Sequence, residues 1–142
     1  MIIRLVREED LLVCGDIYAK AFSQAPYFGV WTTETAANML AGLLSRDPES
    51  CWCVENDSGI LGFAFCTTYG SFRGTIQEFA IAPGSQKRGI GTLMMEHILT
   101  QFRSRGLQNV DLVANLDASA FKFYKKFGFQ HPDRYVVMAR PL

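Results

Sequence analysis

The stretch Ile81-Ala82-Pro83-Gly84-Ser85-Gln86-Lys87-Arg88-Gly89-Ile90-Gly91-Thr92-Leu93-Met94 joins a strand end to a helix start through a polar turn. The first turn of a helix carries four backbone N–H groups without intrahelical partners, and the helix dipole adds positive potential there. Together they make an anion site suited to phosphate. Gly89 and Gly91 lack a Cβ, so a phosphate can approach the backbone closely, and Lys87 and Arg88 add charge beside it.

Three phosphate-binding patterns compete for this stretch. A P-loop needs GxxxxGK[ST]. Gly84 and Gly89 keep that spacing, but Ile90-Gly91 stands where Lys-Ser/Thr must be. A Rossmann fingerprint needs GxGxxG. Gly89-Ile90-Gly91 is followed by Met94, not by a third glycine, and lies in the second half of the chain. The third pattern is [QR]xxGx[GA], which Gln86-Lys87-Arg88-Gly89-Ile90-Gly91 meets.

Downstream, the helix runs from about Gly89 to Arg105, with Leu93, Met94, His97, Ile98 and Phe102 on or near one face, and Gly106 closes it. Val110 to Ala114 reads as a buried strand. Asp117 caps a further helix that ends at Gly128. Arg134 to Ala139 reads as a last strand. Upstream, Ile2 to Val6 is a first strand, and Glu8-Glu9-Asp10 puts acid at a helix start. Leu11, Cys14, Tyr18, Ala21 and Phe22 then recur at helical spacing. After the loop Ser23 to Trp31, Thr32 or Thr33 caps a second helix carrying Ala36, Met39, Leu40, Leu43 and Leu44, which Arg46-Asp47-Pro48 stops. Cys51–Glu55, Ile60–Tyr69 and Thr75–Ala82 are three successive strands joined by the turns Asn56–Gly59 and Gly70–Gly74.

The order β-α-α-β-β-β-α-β-α-β predicts one α/β domain over residues 1–142, a mixed sheet with helices on both faces. Two hairpins make its middle antiparallel. The helix between Thr75–Ala82 and Val110–Ala114 lets those two strands run parallel. With 142 residues, 49% of them apolar, the chain can build a core without metal or disulfide staples. Fourteen Lys plus Arg balance fourteen Asp plus Glu, which argues against general binding to nucleic acid or to an anionic membrane. No apolar run approaches the ~18 residues of a membrane span, and Arg4 breaks up the N-terminal apolar stretch, so no signal peptide is read there. Cys14, Cys51, Cys53 and Cys66 match neither a CxxC pair nor a zinc knuckle. They are expected to be reduced thiols used as small hydrophobes in a cytoplasmic protein, with no metal.

Two blocks together, Glu78–Pro83 running into Gln86–Met94 and Asn115–Phe129, resemble the GNAT superfamily of N-acetyltransferases. The resemblance covers nearly the whole chain in element order. It implies a splayed mixed sheet and acetyl-CoA as acyl donor, whose pantetheine arm enters between Thr75–Ala82 and Val110–Ala114. Backbone groups of Phe79, Ala80 and Ile81 would bond that arm and polarise the thioester carbonyl. Gln86 and the loop and helix start at Lys87, Arg88, Gly89, Ile90, Gly91 and Thr92 would hold the pyrophosphate. Asn115 and Phe121 would complete the cofactor contacts, and homodimers are common in the family.

By the same resemblance Tyr124 aligns with a tyrosine that serves as general acid. A phenol of pKa ~10 giving its proton to a thiolate of pKa ~8.5 makes a transfer that is slightly uphill and feasible in a dry site. Glu78 is the candidate general base, the one carboxylate on its strand. Strand alternation places it opposite Gln77, Phe79 and Ile81, the face on which the family would carry a base. Tyr27, Phe28 and Trp31 of the first interhelix loop, with Gln77, are the candidate acceptor contacts. Lys122, Lys125 and Lys126 form a solvated helix face. The expected function is direct acetyl transfer to a primary amine of a small molecule or protein. A non-catalytic acyl-CoA-binding module on the same fold is the alternative, since a fold does not guarantee activity. Cys53 and Cys66 lie in apolar strands with no histidine near in sequence, which argues against a covalent cysteine route.

Overall fold

The computed structural model describes residues Met1–Leu142. Strand β1 (Ile2–Leu5) is followed by helices α1 (Leu11–Phe22) and α2 (Thr33–Arg46). Strands β2 (Cys51–Asn56), β3 (Gly59–Tyr69) and β4 (Arg73–Ile81) come next, then α3 (Ile90–Ser104), β5 (Asn109–Leu112) and α4 (Ser119–Lys126). The five strands form one sheet in the order β1-β2-β3-β4-β5. The first four pair antiparallel, and β5 lies parallel to β4. No helix is long and apolar enough to cross a membrane.

Strand β3 explains the layering. Its run Leu61–Cys66 carries no charge and is covered on both faces, as a central strand must be. Phe63 and Phe65 pack with Cys14, Tyr18, Leu40 and Leu44 of α1 and α2. Ala64 and Cys66 pack with Met94, Met95, Ile98 and Phe102 of α3. The sheet therefore separates two cores. Helices α1 and α2 approach closely because Gly15 leaves room, since a Cβ there would stand 2.9 Å from the Ala37 backbone nitrogen. Thr32 and Thr35 form a reciprocal cap at the start of α2: Thr35 N–H donates to Thr32 Oγ1 (3.1 Å) and Thr32 N–H to Thr35 Oγ1 (2.9 Å).

The acidic stretch before α1 forms a short 3-10 turn, Glu8–Asp10. The Arg4 guanidinium lies between two carboxylates, donating to Asp10 Oδ2 (2.8 Å) and Oδ1 (3.0 Å) and to Glu55 Oε1 (2.9 Å) and Oε2 (3.0 Å). Asp10, itself buried, also accepts from the Arg7 N–H at 2.7 Å. The network ties β1 to β2 and to the start of α1.

Two expectations fail. Arg134–Ala139 forms no strand, and Tyr135, Val136, Val137 and Met138 are 72–89% exposed. A strand needs an edge within hydrogen-bonding distance. Here a cavity of about 1100 Å³, lined by Val110 and Leu112 on one side and Tyr135 and Val137 on the other, separates the tail from β5. Nor does Asp117 cap α4. The cap position is Ala118, which has no side-chain acceptor, and the Asp117 N–H instead donates to Asn115 Oδ1 at 2.8 Å.

The bonds from Arg4 and Arg7 hold the Asp10 carboxyl below its usual range. A carboxylate with a depressed folded-state pKa stabilises the fold above its unfolded value, and that stability is lost as pH falls through the folded one. Asp10→Asn is expected to cost about 2 kcal/mol at pH 7, or about 4–8 °C in Tm. In urea melts the difference from the parent chain should shrink as pH falls below about 4.

Candidate active site

The sheet opens along β4. Pairing of β4 with β5 covers Arg73–Ile76 against Asn109–Leu112 and stops there, whereas pairing with β3 continues to Gly62 opposite Ile81. Residues Gln77–Ile81 therefore have a strand on one side only, and their outward backbone groups face a wedge-shaped gap. The gap begins at a β-bulge. Phe65 pairs with Glu78 and Cys66 with Ile76, which leaves Gln77 as the extra residue.

This bulge corrects the alternation expected for the strand. Ile76 packs into the α3 core, whereas Ala80 packs into the α1–α2 core, so the faces exchange between them. Gln77 Nε2 donates to Thr67 Oγ1 (3.0 Å), and Thr67 is in step with Phe63 and Phe65 on the α1–α2 face. Gln77 and Glu78 thus share that face, while Phe79 and Ile81 pack towards α3.

Glu78 is half-buried, and burial pushes its carboxyl up to about 7 against the opposing pull of the Tyr18 hydroxyl. Tyr18 is buried, and its phenol is raised by burial and then by the Glu78 charge. Its ring stacks on Phe22 (4.4 Å between centroids) and meets Trp31 edge-on (5.3 Å). Tyr27 meets Phe22 at 4.7 Å. The loop between α1 and α2 is thereby folded onto Tyr18, which shares a core with Phe65, the β3 partner of Glu78.

Tyr124 approaches the gap from the other face. It packs edge-on against Phe79 (6.2 Å), and Phe123 lies beside both, 5.9 Å from Phe79 and 5.5 Å from Tyr124. Burial pushes the Tyr124 phenol well above its usual value, and the charges of Tyr27, Glu78 and Cys66 push the same way. It is therefore protonated at neutral pH. Tyr124 thus lies on Phe79, the residue that follows Glu78 along the unpaired stretch of β4. A group able to accept a proton near neutrality and a group that holds one thus flank the unpaired stretch of β4.

At the end of β4 the chain turns through Pro83–Ser85 into the loop before α3. Lys87 (φ 61) and Gly89 (φ 79) both sit in the left-handed region, the kind of alternation that turns successive N–H groups towards one side. A Cβ on Gly89 would meet nothing within 4 Å, so the space over the helix start is open. Gln86, Lys87, Arg88, Gly89 and Thr92 are exposed there, and Ile90 is the buried plug beneath them. Gln86 Nε2 donates to the Ile81 carbonyl (3.4 Å) and so joins loop to strand. An open helix start thus lies beside an unpaired strand edge, the two features that the family resemblance assigns to a CoA-like ligand.

The remaining predicted contacts are placed less directly. Asn115 is exposed and spends its Oδ1 on the Asp117 N–H, which leaves Nδ2 as the donor. Phe121 does not join Phe79; its ring lies 5.5 Å from His131, with Lys125 Nζ over its face. All four cysteines are buried free thiols. Burial pushes Cys51 up to about 12 and Cys53 up to about 11, and it raises Cys14 and Cys66 as well, so none supplies a thiolate near neutrality. No three His, Cys, Asp or Glu side chains cluster as metal ligands do.

A model of the Acetyltransferase (GNAT) family matches residues 16–129. The chain belongs to this family. Mycothiol acetyltransferase of Beutenbergia cavernae is 30% identical over 114 residues, 78% of this chain and 38% of that protein. The [ribosomal protein bS18]-alanine N-acetyltransferase of Haemophilus influenzae is 34% identical over 80 residues, 56% of this chain and 53% of that protein. The chain thus spans about half or less of the length of these curated relatives. Among solved structures, Ard1 from Thermoplasma volcanium superposes with a TM-score of 0.76 at 24% identity, covering 91% of this chain and 82% of that one. The PaiA N-acetyltransferase of Thermoplasma acidophilum, solved in complex with coenzyme A, gives 0.76 at 19% identity, covering 93% and 91%. These likenesses establish the GNAT fold for the five-stranded sheet and its four helices.

Two residues of this GNAT domain escaped the sequence. Tyr18 had the spacing of a core stripe; the one available signal was that a buried tyrosine hydroxyl needs a partner. Phe123 was not among the candidate residues; it packs against the α3 core and stands between Gly91, whose added Cβ would lie 3.4 Å from its ring, and Phe79. The Tyr18 hydroxyl pulls the Glu78 titration down, so Tyr18→Phe should move it above about 7. Carboxyl-carbon NMR across a pH series reads this directly, and an unmoved titration would show that the hydroxyl does not touch the carboxylate.

Proposed function

We propose that this GNAT domain is an acetyl-CoA-dependent N-acetyltransferase that passes the acetyl group directly to a primary amine of a small molecule or protein. The observation that carries it is the placement of Glu78 and Tyr124 on opposite faces of β4, both at the gap where β5 has left the strand. When bound, acetyl-CoA supplies a thioester carbonyl and a thiolate leaving group.

Glu78 takes the proton that an ammonium must lose before its nitrogen can attack. An alkylammonium has a pKa of ~10.4 and an ordinary glutamate ~4.3, a deficit of roughly 8 kcal/mol. With Glu78 lifted to about 7 the deficit falls to roughly 5 kcal/mol, and burial of the ammonium in the same gap narrows it further. Tyr124 holds the proton that the departing sulfur takes up. Its raised pKa makes it a reluctant donor, but a sulfur in the same water-poor space is a better acceptor, as the raised thiols of this chain illustrate. Backbone groups of Phe79–Ile81 orient the reacting carbonyl, and the helix start at Arg88–Thr92 holds the diphosphate. With every cysteine kept protonated, the amine attacks without a covalent enzyme intermediate.

Glu78 must be ionised to act, so kcat/KM should rise with pH to a half-maximum at about 7 and then level. Glu78→Gln should remove that limb and lower kcat/KM by roughly 10²–10⁴, and Tyr124→Phe should lower kcat by a similar factor. Both variants should still bind coenzyme A by calorimetry. Parent chain and variants that all bind coenzyme A but consume no acetyl-CoA with any amine would mark a binding module instead.

A further inference from the structure

The connection between α1 and α2, Ser23 to Thr32, contains no Asp, Glu, Lys, Arg or His. It nevertheless presents apolar side chains to solvent. Phe28 is 70% exposed and Val30 is 97% exposed, while Tyr27 and Trp31 are each a little over a third exposed. Clustered exposed apolar groups of this kind mark a binding surface. The loop is also fixed in place. Phe28 N–H donates to the Gln24 carbonyl (3.0 Å) and Gly29 N–H to the Phe22 carbonyl (2.7 Å). A Cβ on Gly29 would stand 2.9 Å from the Trp31 ring, so only glycine fits there. Phe28 itself holds φ 48, a left-handed conformation that costs a bulky residue energy. Strain is thus retained to point an aromatic ring at water.

Charge completes the picture. Tyr27 and Trp31 are anchored through Phe22 and Tyr18, and Tyr18 packs in one core with Ala80 and with Phe65, the β3 partner of Glu78, so the apolar loop adjoins a single carboxylate. The one acid of α1, Asp16, is already engaged by Lys20 Nζ at 2.7 Å. A polycation needs several acids around the reacting nitrogen, whereas one carboxylate beside an aromatic wall suits one ammonium on an apolar body.

We infer that the acceptor is a small monoamine with an aromatic or aliphatic skeleton, its nitrogen at Glu78 and its skeleton against Tyr27, Phe28, Val30 and Trp31. The inference rests on the acetyltransferase function proposed above and narrows its substrate. In the transfer the amine nitrogen forms the bond to the acetyl carbon and the carbon–sulfur bond breaks. One ammonium proton passes to Glu78, the sulfur leaves with the proton of Tyr124, and the second proton that the nitrogen sheds on becoming an amide restores the Tyr124 phenol.

The test is thiol release from acetyl-CoA by the full chain with phenethylamine, hexylamine, spermidine, an aminoglycoside and a lysine-containing peptide. Phenethylamine and hexylamine should exceed the other three in kcat/KM by about tenfold or more. Phe28→Gly should raise KM for phenethylamine about tenfold and leave kcat within about twofold. Its Tm should stay within about 2 °C of the parent, because glycine adopts φ 48 without strain and offsets its own flexibility in the unfolded chain. Preference for spermidine, the aminoglycoside or the peptide would overturn the inference alone, as would an unchanged KM in Phe28→Gly. Turnover of no amine would overturn both the inference and the acetyltransferase function.

Discussion

One extra residue in β4 governs the rest of the molecule. Gln77 has no partner on β3, and the strand beyond it bends away from β5. From that bend come the unpaired edge of Phe79–Ile81, the exchange of side-chain faces, and the approach of Glu78 and Tyr124 from opposite sides of one sheet. A bulge costs ladder hydrogen bonds, and here the sheet supports it from both faces. Phe102 of α3 packs against Gly74 just before the bulge, so closely that a Cβ there would run into its ring. Thr67 holds the Gln77 amide on the other side.

A single physical cause, removal from water, acts on Glu78, Tyr124 and the buried cysteines, with different consequences. It lifts Glu78 into the range where a carboxyl exchanges protons at neutral pH. It lifts Tyr124 so far that the phenol always holds its proton. It lifts the cysteines until none is a nucleophile. The same burial thus separates one group that can work as a base from one that can work as an acid, and keeps competing chemistry quiet.

Much of the architecture was legible because local signals and tertiary packing agreed. The chain turns between Asn56 and Gly59 and between Tyr69 and Arg73, inside the stretches whose glycines and Asn-Asp signalled it, the apolar run of β3 demanded cover on two faces, and Gly89 sits in the left-handed conformation its type allows. The turn from β4 into α3 is legible for the same reason, since glycine and proline set its backbone. The failures share a different cause. A bulge is set by pairing between strands, and nothing in Ile76-Gln77-Glu78 announces it, so strict alternation separated Gln77 from Glu78. Tyr18 looked like any core position because its hydroxyl partner lies sixty residues away in sequence. Arg134–Ala139 has the pattern of a strand, but strand pattern is a preference for an edge and cannot supply one.

The central claim is that the opened edge of β4 and the start of α3 together form one seat for an acyl-CoA. Amide NMR of the full chain titrated with coenzyme A tests it residue by residue. The account predicts that the largest shifts fall on Phe79–Ile81 and Arg88–Thr92, saturating together with a single affinity. Shifts confined to the cavity between β5 and the C-terminal tail, with those two segments unmoved at saturation, would contradict it.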